Sequence, residues 1–253
     1  MSGSAASLAR GSALARPLDF SYPSNRVAAA GSAGAALLAL AFGRPWVQAV
    51  GVGGAAFLAW ATARELDPDH PVTANAALPV AAALALLGGA GNPMAGLAVL
   101  SGVRLIAGTT GEPATRADHA GMLVQALLAG ASGERAAAFL AGGAPLLTAE
   151  ARSALPAAGA LMPTLRQQAG FSWGSALLAA SVLPLAGTLT APEAVTSVCD
   201  RAGRPVRAQE VQLARHAAVL TLGVGLLSRR TRGLVPLAAA LLTVAARRAG
   251  SGS

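Results

Sequence analysis

The sequence predicts an all-α fold, a polytopic transmembrane helix bundle of about 7–9 crossings joined by short loops. Three observations predict it. Only 12% of the 253 residues are charged while 54% are apolar, against about 25% charged in an ordinary soluble domain. Mean hydropathy is +0.54. Long stretches also carry no formal charge, among them 27–43, 45–63, 71–103 and 167–192, and a helix of about 17–25 apolar residues spans a bilayer core. Abundant alanine also suits an unusually apolar soluble bundle, but these runs lack the polar stripe of a surface helix. The same composition excludes a disordered chain, and the single cysteine, Cys199, excludes an intrachain disulfide framework.

Residues 1–26 are rich in Ser, Ala and Arg and have no acid before Asp19. They read as a flexible N-terminal tail, with an organelle transit peptide as the alternative. The membrane domain then covers 27–248, and 249–253 is a flexible C-terminal tail. The run 71–103 is too long for one crossing and contains the turn-forming stretch Gly88-Gly89-Ala90-Gly91-Asn92-Pro93. Five crossings follow: 27–43, 46–63, 72–89, 93–108 and 171–190. Four shorter segments, 119–132, 136–149, 212–228 and 233–246, complete the set of nine. Pro79, Pro145, Pro184 and Pro236 fall inside crossings, where neighbouring helices can satisfy the carbonyls they free. Gly31, Gly34, Gly51, Gly53, Gly54, Gly223 and Gly225 supply the small surfaces that let helices approach in lipid. The stretch 150–168, with Pro156 and Pro163, reads as an inner loop, and 192–210 as a polar outer loop.

Orientation follows the arginines, because cationic residues accumulate on the cytoplasmic side. All 19 basic residues are arginine. Nine crossings with a cytoplasmic N-terminus place Arg10, Arg16, Arg26, Arg64, Arg116, Arg152, Arg166, Arg229, Arg230 and Arg232 inside. Arg44, Arg135, Arg201, Arg204, Arg207, Arg247 and Arg248 then lie outside. The expected location is the bacterial inner membrane, with an organelle membrane as the alternative.

No phosphate-binding loop, His-Glu-x-x-His or Cys-x-x-Cys motif occurs. Two charged loops stand out against the apolar background. Arg64-Glu65-Leu66-Asp67-Pro68-Asp69-His70 precedes the third crossing, and 109–119, with Glu112, Arg116, Asp118 and His119, precedes the fifth. Both end in Asp-His, and both fall on the cytoplasmic face. Asp69, His70, Asp118 and His119 are the catalytic candidates. Glu65, Asp67, Asp69, Glu112 and Asp118 are candidate ligands for a divalent metal, since carboxylate sets suit Mg²⁺ or Mn²⁺. Arg64, Arg104 and Arg116 are candidate anion binders, because the guanidinium fork matches phosphate and carboxylate. Against this stands a plainer role: Asp69 and Asp118 cap helices, Arg64 anchors a helix end, and Arg104 either snorkels or pairs with an acid.

The function expected first is a non-catalytic membrane subunit or scaffold. The alternatives are a metal-assisted enzyme acting on a lipid or phosphorylated amphiphile at the cytoplasmic-face site, and a small-solute transporter. The partners expected are the lipid bilayer and other membrane subunits. Nucleic acid is not expected, because the arginines are dispersed and no aromatic platform accompanies them.

Overall fold

A computed structural model describes residues 11–148, 152–166 and 169–250. Residues 1–10 of the expected N-terminal tail, Glu150, and residues 251–253 of the C-terminal tail lie outside the described residues. Within them the secondary structure is helical, with one isolated antiparallel bridge, Val198 to Pro205. The helices are α1 (Pro23–Ala41), α2 (Trp46–Leu66), α3 (Pro71–Gly88), α4 (Pro93–Ala107), α5 (Arg116–Ala131) and α6 (Arg135–Leu147). They continue with α7 (Leu155–Ala160), α8 (Trp173–Val182), α9 (Ala186–Thr190), α10 (Ala208–Leu227) and α11 (Val235–Gly250).

Local chemistry sets the boundaries. Pro71 and Pro93 open α3 and α4, where the missing N–H costs nothing. Asn92 caps α4 by accepting from the Met94 amide at 3.0 Å, and Gly108 ends it in the left-handed region at φ 60°. Reciprocal capping boxes start α5 (Thr115 with Asp118) and α8 (Ser172 with Ser175). Of the four expected kink prolines, Pro79 and Pro145 lie inside α3 and α6. Pro184 lies in the 3₁₀ turn Leu183–Leu185 that separates α8 from α9. Pro236 sits in the first turn of α11, where it needs no kink.

Four helical stretches are long and apolar enough to cross a membrane: Trp46–Leu66, Pro71–Gly88, Trp173–Thr190 and Arg232–Gly250. They fit an integral membrane protein. The expected set of 7–9 crossings is not confirmed: four helical stretches meet the length and composition for a span. The crossing at 93–108 becomes a helix of 15 residues, and the expected short segment 233–246 lengthens into one of the four. The stretches at α2 and α11 are each 61% buried, against 33% for α3 and for 173–190. The first pair therefore forms the centre of the bundle. Around it the outer faces expose large apolar side chains, including Leu37, Phe42, Trp46, Val72, Leu87, Trp173, Leu220 and Leu227. Water would penalise such a surface and hydrocarbon does not.

The packing surfaces are small. A Cβ on Gly53 of α2 would lie 2.6 Å from the Ser32 carbonyl oxygen of α1, so only glycine permits this helix pair to close. The turn between α3 and α4 is pressed just as tightly against the turn before α11. A Cβ on Gly91 would collide with the Arg232 carbonyl and stand 2.7 Å from the Gly233 nitrogen. Gly91→Ala is therefore expected to cost about 1–3 kcal/mol through overpacking against backbone. A lowered thermal unfolding midpoint in detergent checks this.

The chain's route departs from the expected one at 150–168. α6 ends beside the start of α10, where Leu147 and Thr148 share a cavity with Arg204 and Glu210. The chain then returns along α5 and α6: a Cβ on Gly142 would meet the Pro156 carbonyl, and one on Gly159 the Leu123 carbonyl. Leu165 and Arg166 finally donate to the Ala131 carbonyl at 2.8 and 3.0 Å, at the far end of α5. So 152–166 is a return pass, with only the six-residue α7 helical, and not a loop on one face. Every later element is inverted relative to expectation. The segment 191–207, Arg247 and Arg248 join the N-terminal end, through Arg16 with Asp200 and Arg247 with Asp67. Arg229, Arg230 and Arg232 move to the opposite end, where the Arg232 amide donates to Gly170. Proline, glycine and polar content gave this segment the look of a loop, while buried Pro156, Gly159 and Ala160 pack it along α5 and α6.

Candidate functional site

The N-terminal end of the bundle gathers the ends of α2, α4 and α11, the starts of α5 and α10, and the segments 11–22 and 191–207. Its charges resolve into two buried ion-pair networks. Glu65, in the last turn of α2, is fully buried. It accepts from Arg104 Nε at 2.7 Å, from Arg16 at 3.2 Å and from the Thr109 hydroxyl. Arg16 also grips Asp200, with Nη2 to Oδ1 at 2.7 Å. Arg104 thus pairs with an acid and does not snorkel.

The second network centres on Asp67 and Glu193. Asp67, 2% exposed, faces Arg247 at 2.7 Å, Arg215 at 3.8 Å and His70 Nδ1 at 3.0 Å. Glu193 pairs with Arg215 at 2.9 Å and with Arg247 and Arg248. Arg215, buried in α10, also donates to the Leu66 carbonyl at 2.7 Å. Burial pushes the Glu193 carboxyl up, but the surrounding guanidiniums outweigh it and hold it down at about 2. These contacts tie the α2 terminus to α10, α11 and the 191–207 segment.

The other sequence candidates are placed separately. Asp69 accepts from the Thr196 and Ser197 amides, both at 2.8 Å, and from both hydroxyls. Burial raises its carboxyl, and these bonds overcome that and leave it below the usual value. Asp118 closes the α5 capping box and accepts from the Ala13 amide at 3.1 Å and the Ser12 hydroxyl. His70 is 45% exposed. The Nε2 atom of His119 is buried with no hydrogen-bond partner. Arg116 is exposed at the start of α5. Glu112 lines a cavity of about 310 Å³ with Arg204, Arg207 and Glu210.

Glu65, Asp67, Asp69, Glu112 and Asp118 therefore do not assemble as one ligand set. Among the described residues no group of three or more His, Cys, Asp or Glu is placed to hold a metal ion. The donor chemistry explains this: the carboxylate lone pairs of Glu65, Asp67, Asp69 and Asp118 are already taken by guanidiniums, hydroxyls and amides. The two charged loops do meet, through Glu65 and Thr109.

A larger cavity of about 530 Å³ opens beside that junction, lined by Arg16, Asp19, Asn25, Arg64, Cys199 and Arg201 among others. Arg64 reaches it with its guanidinium 5.1 Å above the Trp60 ring and Nη1 donating to Asn25 Oδ1 at 2.8 Å. Arg16, Asp200 and Arg201 are members that motif reading missed. For Asp200 and Arg201 the only signal was charge density at 191–207, and that was assigned to the wrong end.

No nucleophile elbow is expected from the sequence, yet one stretch carries its spacing. Gly170-Phe171-Ser172-Trp173-Gly174 matches the Gly-x-Ser-x-Gly of a nucleophile elbow. Here Ser172 is a helix cap, accepting from the Ser175 amide at 3.3 Å and bonded to the Ser175 hydroxyl at 2.9 Å. Among the described residues no histidine or carboxylate is a hydrogen-bond partner of Ser172. At the same end Glu134 is 2% exposed, and burial lifts its carboxyl to about 7 against the pull of Arg230.

Comparison with protein-family models, curated proteins and solved structures finds no match for this chain.

Proposed function

We propose that the chain is a non-catalytic integral membrane protein, a subunit or scaffold whose N-terminal end forms a rigid ion-paired platform on the cytoplasmic side of a bacterial inner membrane. The supporting observation is the occupation of four of the five candidate acids. Glu65 and Asp67 are buried and held by arginines, and Asp69 and Asp118 are spent on amides and hydroxyls. General acid–base or metal work needs a carboxylate with a free lone pair facing a substrate. The exposed apolar flanks support residence in lipid, and arginines concentrated at the N-terminal end support its cytoplasmic placement.

On this reading the chain passes through the bilayer an even number of times, and 191–207 shares a side with the N-terminus. Cysteine mapping in a Cys199→Ser background tests it, with intact cells and a membrane-impermeant maleimide. Ser21→Cys and Ala194→Cys are expected to be shielded together, and Arg44→Cys to be labelled from outside. Labelling of Ala194→Cys from outside while Ser21→Cys stays shielded refutes the even count. Release of the chain from membranes by alkaline carbonate refutes the membrane assignment itself.

A further inference from the structure

We infer that the 530 Å³ cleft at the N-terminal end is a binding site for a phosphate-bearing anion, with Arg64 as its principal contact. The cleft has three guanidiniums, and the structure disposes of two. Arg16 is divided between Glu65 and Asp200. Arg201 donates to the Ser12 and Ala15 carbonyls at 3.2 and 2.9 Å. Of the two carboxylates lining the cleft, Asp200 is engaged by Arg16, and Asp19 is turned to its own loop, accepting from the Ser21 amide at 2.9 Å.

Arg64 remains. No carboxylate among the described residues lies within ion-pair distance of it. Its protein hydrogen bond is the one to Asn25, made by one of five guanidinium donors. A residue that served only to anchor the helix end would swing freely to the headgroups. Arg64 is instead clamped, with the Trp60 face beneath it and the Asn25 oxygen at its edge. Such a clamp removes rotamer freedom in advance, so the cost of ordering the side chain on binding is already met.

The free edge of the guanidinium fits two oxygens of one tetrahedral group, and a cleft of this volume accommodates a phosphate with a small organic substituent. A free phosphate compound and a lipid headgroup offer the same oxygens.

The test uses the full chain in a neutral detergent. Unfolding midpoints are followed during titration with inorganic phosphate, and separately with dihexanoyl phosphatidic acid. Sodium chloride at matched ionic strength corrects for screening. The wild-type chain and Arg44→Gln, which alters an exposed arginine outside the cleft, are expected to show saturable stabilisation. Arg64→Gln is expected to weaken it about tenfold or more, the loss of charge-assisted hydrogen bonds. Should that variant not fold, Arg64→Lys, which keeps the charge and loses the fork, is expected to weaken it as well. Stabilisation by both ligands assigns a free phosphate compound, and stabilisation by phosphatidic acid alone assigns a headgroup. No stabilisation by either, or stabilisation unchanged in the Arg64 variants, overturns the site. None of these outcomes bears on the membrane topology, which the maleimide experiment decides.

Discussion

Glu65→Ala is expected to lose about 3–5 kcal/mol of stability, the usual consequence of removing one member of a buried ion cluster. Three groups are left without their partner. Arg104 loses its 2.7 Å contact, Arg16 loses one of its two acids, and the Thr109 hydroxyl loses its acceptor. The cost lies mainly in these stranded groups, because a buried donor without an acceptor keeps its full desolvation penalty. Two further variants separate this from a simple cavity effect. Arg207→Ala removes an exposed i,i+3 pair with Glu210 at the same end and is expected to cost under about 1 kcal/mol. Glu65→Leu combined with Arg104→Met replaces the pair by apolar volume and is expected to recover much of the loss. Thermal unfolding of the purified proteins in one detergent supplies all three comparisons. A double variant no better than Glu65→Ala would show that the site needs shape and not charge balance.

The site's importance to the bundle was partly legible in the sequence. Two charge-dense loops pointed to Glu65 and Asp67 directly, and Arg104 stood out as an arginine inside an expected crossing. Hydropathy also placed α2, α3 and 173–190 correctly, because a window of apolar residues reports burial or lipid whichever neighbour supplies it. Partner identity was not legible. Arg16, Asp200, Arg215 and Arg247 are brought in from 49 to 184 residues away, and pairing at such separations depends on the path of every intervening element. That path turned on 152–166. A pass built mostly from irregular backbone has no helical period to detect, and one missed pass reverses the sidedness of everything after it. The capping expected of Asp69 and Asp118 illustrates the opposite case for Asp118 alone, because no side chain caps the start of α3. The local pattern Thr115-x-x-Asp118 carries its own explanation and needed no tertiary context, whereas Asp69 was drawn to Thr196 and Ser197, partners that no local pattern indicates.

Glu134 yields the second large effect, and its sign reverses the first. This carboxyl starts α6 at the end opposite the networks and has no hydrogen-bond or ion-pair partner among the described residues. A Cβ on Gly233 would lie 3.0 Å from its Oε2, so water has little room there. Burial therefore favours the neutral form, with a folded-state value of about 7 against an ordinary 4.5. Below pH 4.5 the group is protonated in both states and costs nothing. Between 4.5 and 7 the unfolded chain ionises first, so folding is progressively disfavoured, reaching about 3 kcal/mol above pH 7. Glu134→Gln cannot ionise. It is expected to match the wild-type chain near pH 5, apart from a constant offset, and to exceed it by about 1–3 kcal/mol at pH 8.5. The comparison that matters is the difference between the two pH values, because any packing cost of the amide is the same at both. Unfolding midpoints of the two proteins that shift in parallel from pH 5 to 8.5 would show that Glu134 is already charged and compensated in the folded chain. A gap that opens only above pH 5 identifies it as a buried acid held neutral at the expense of stability.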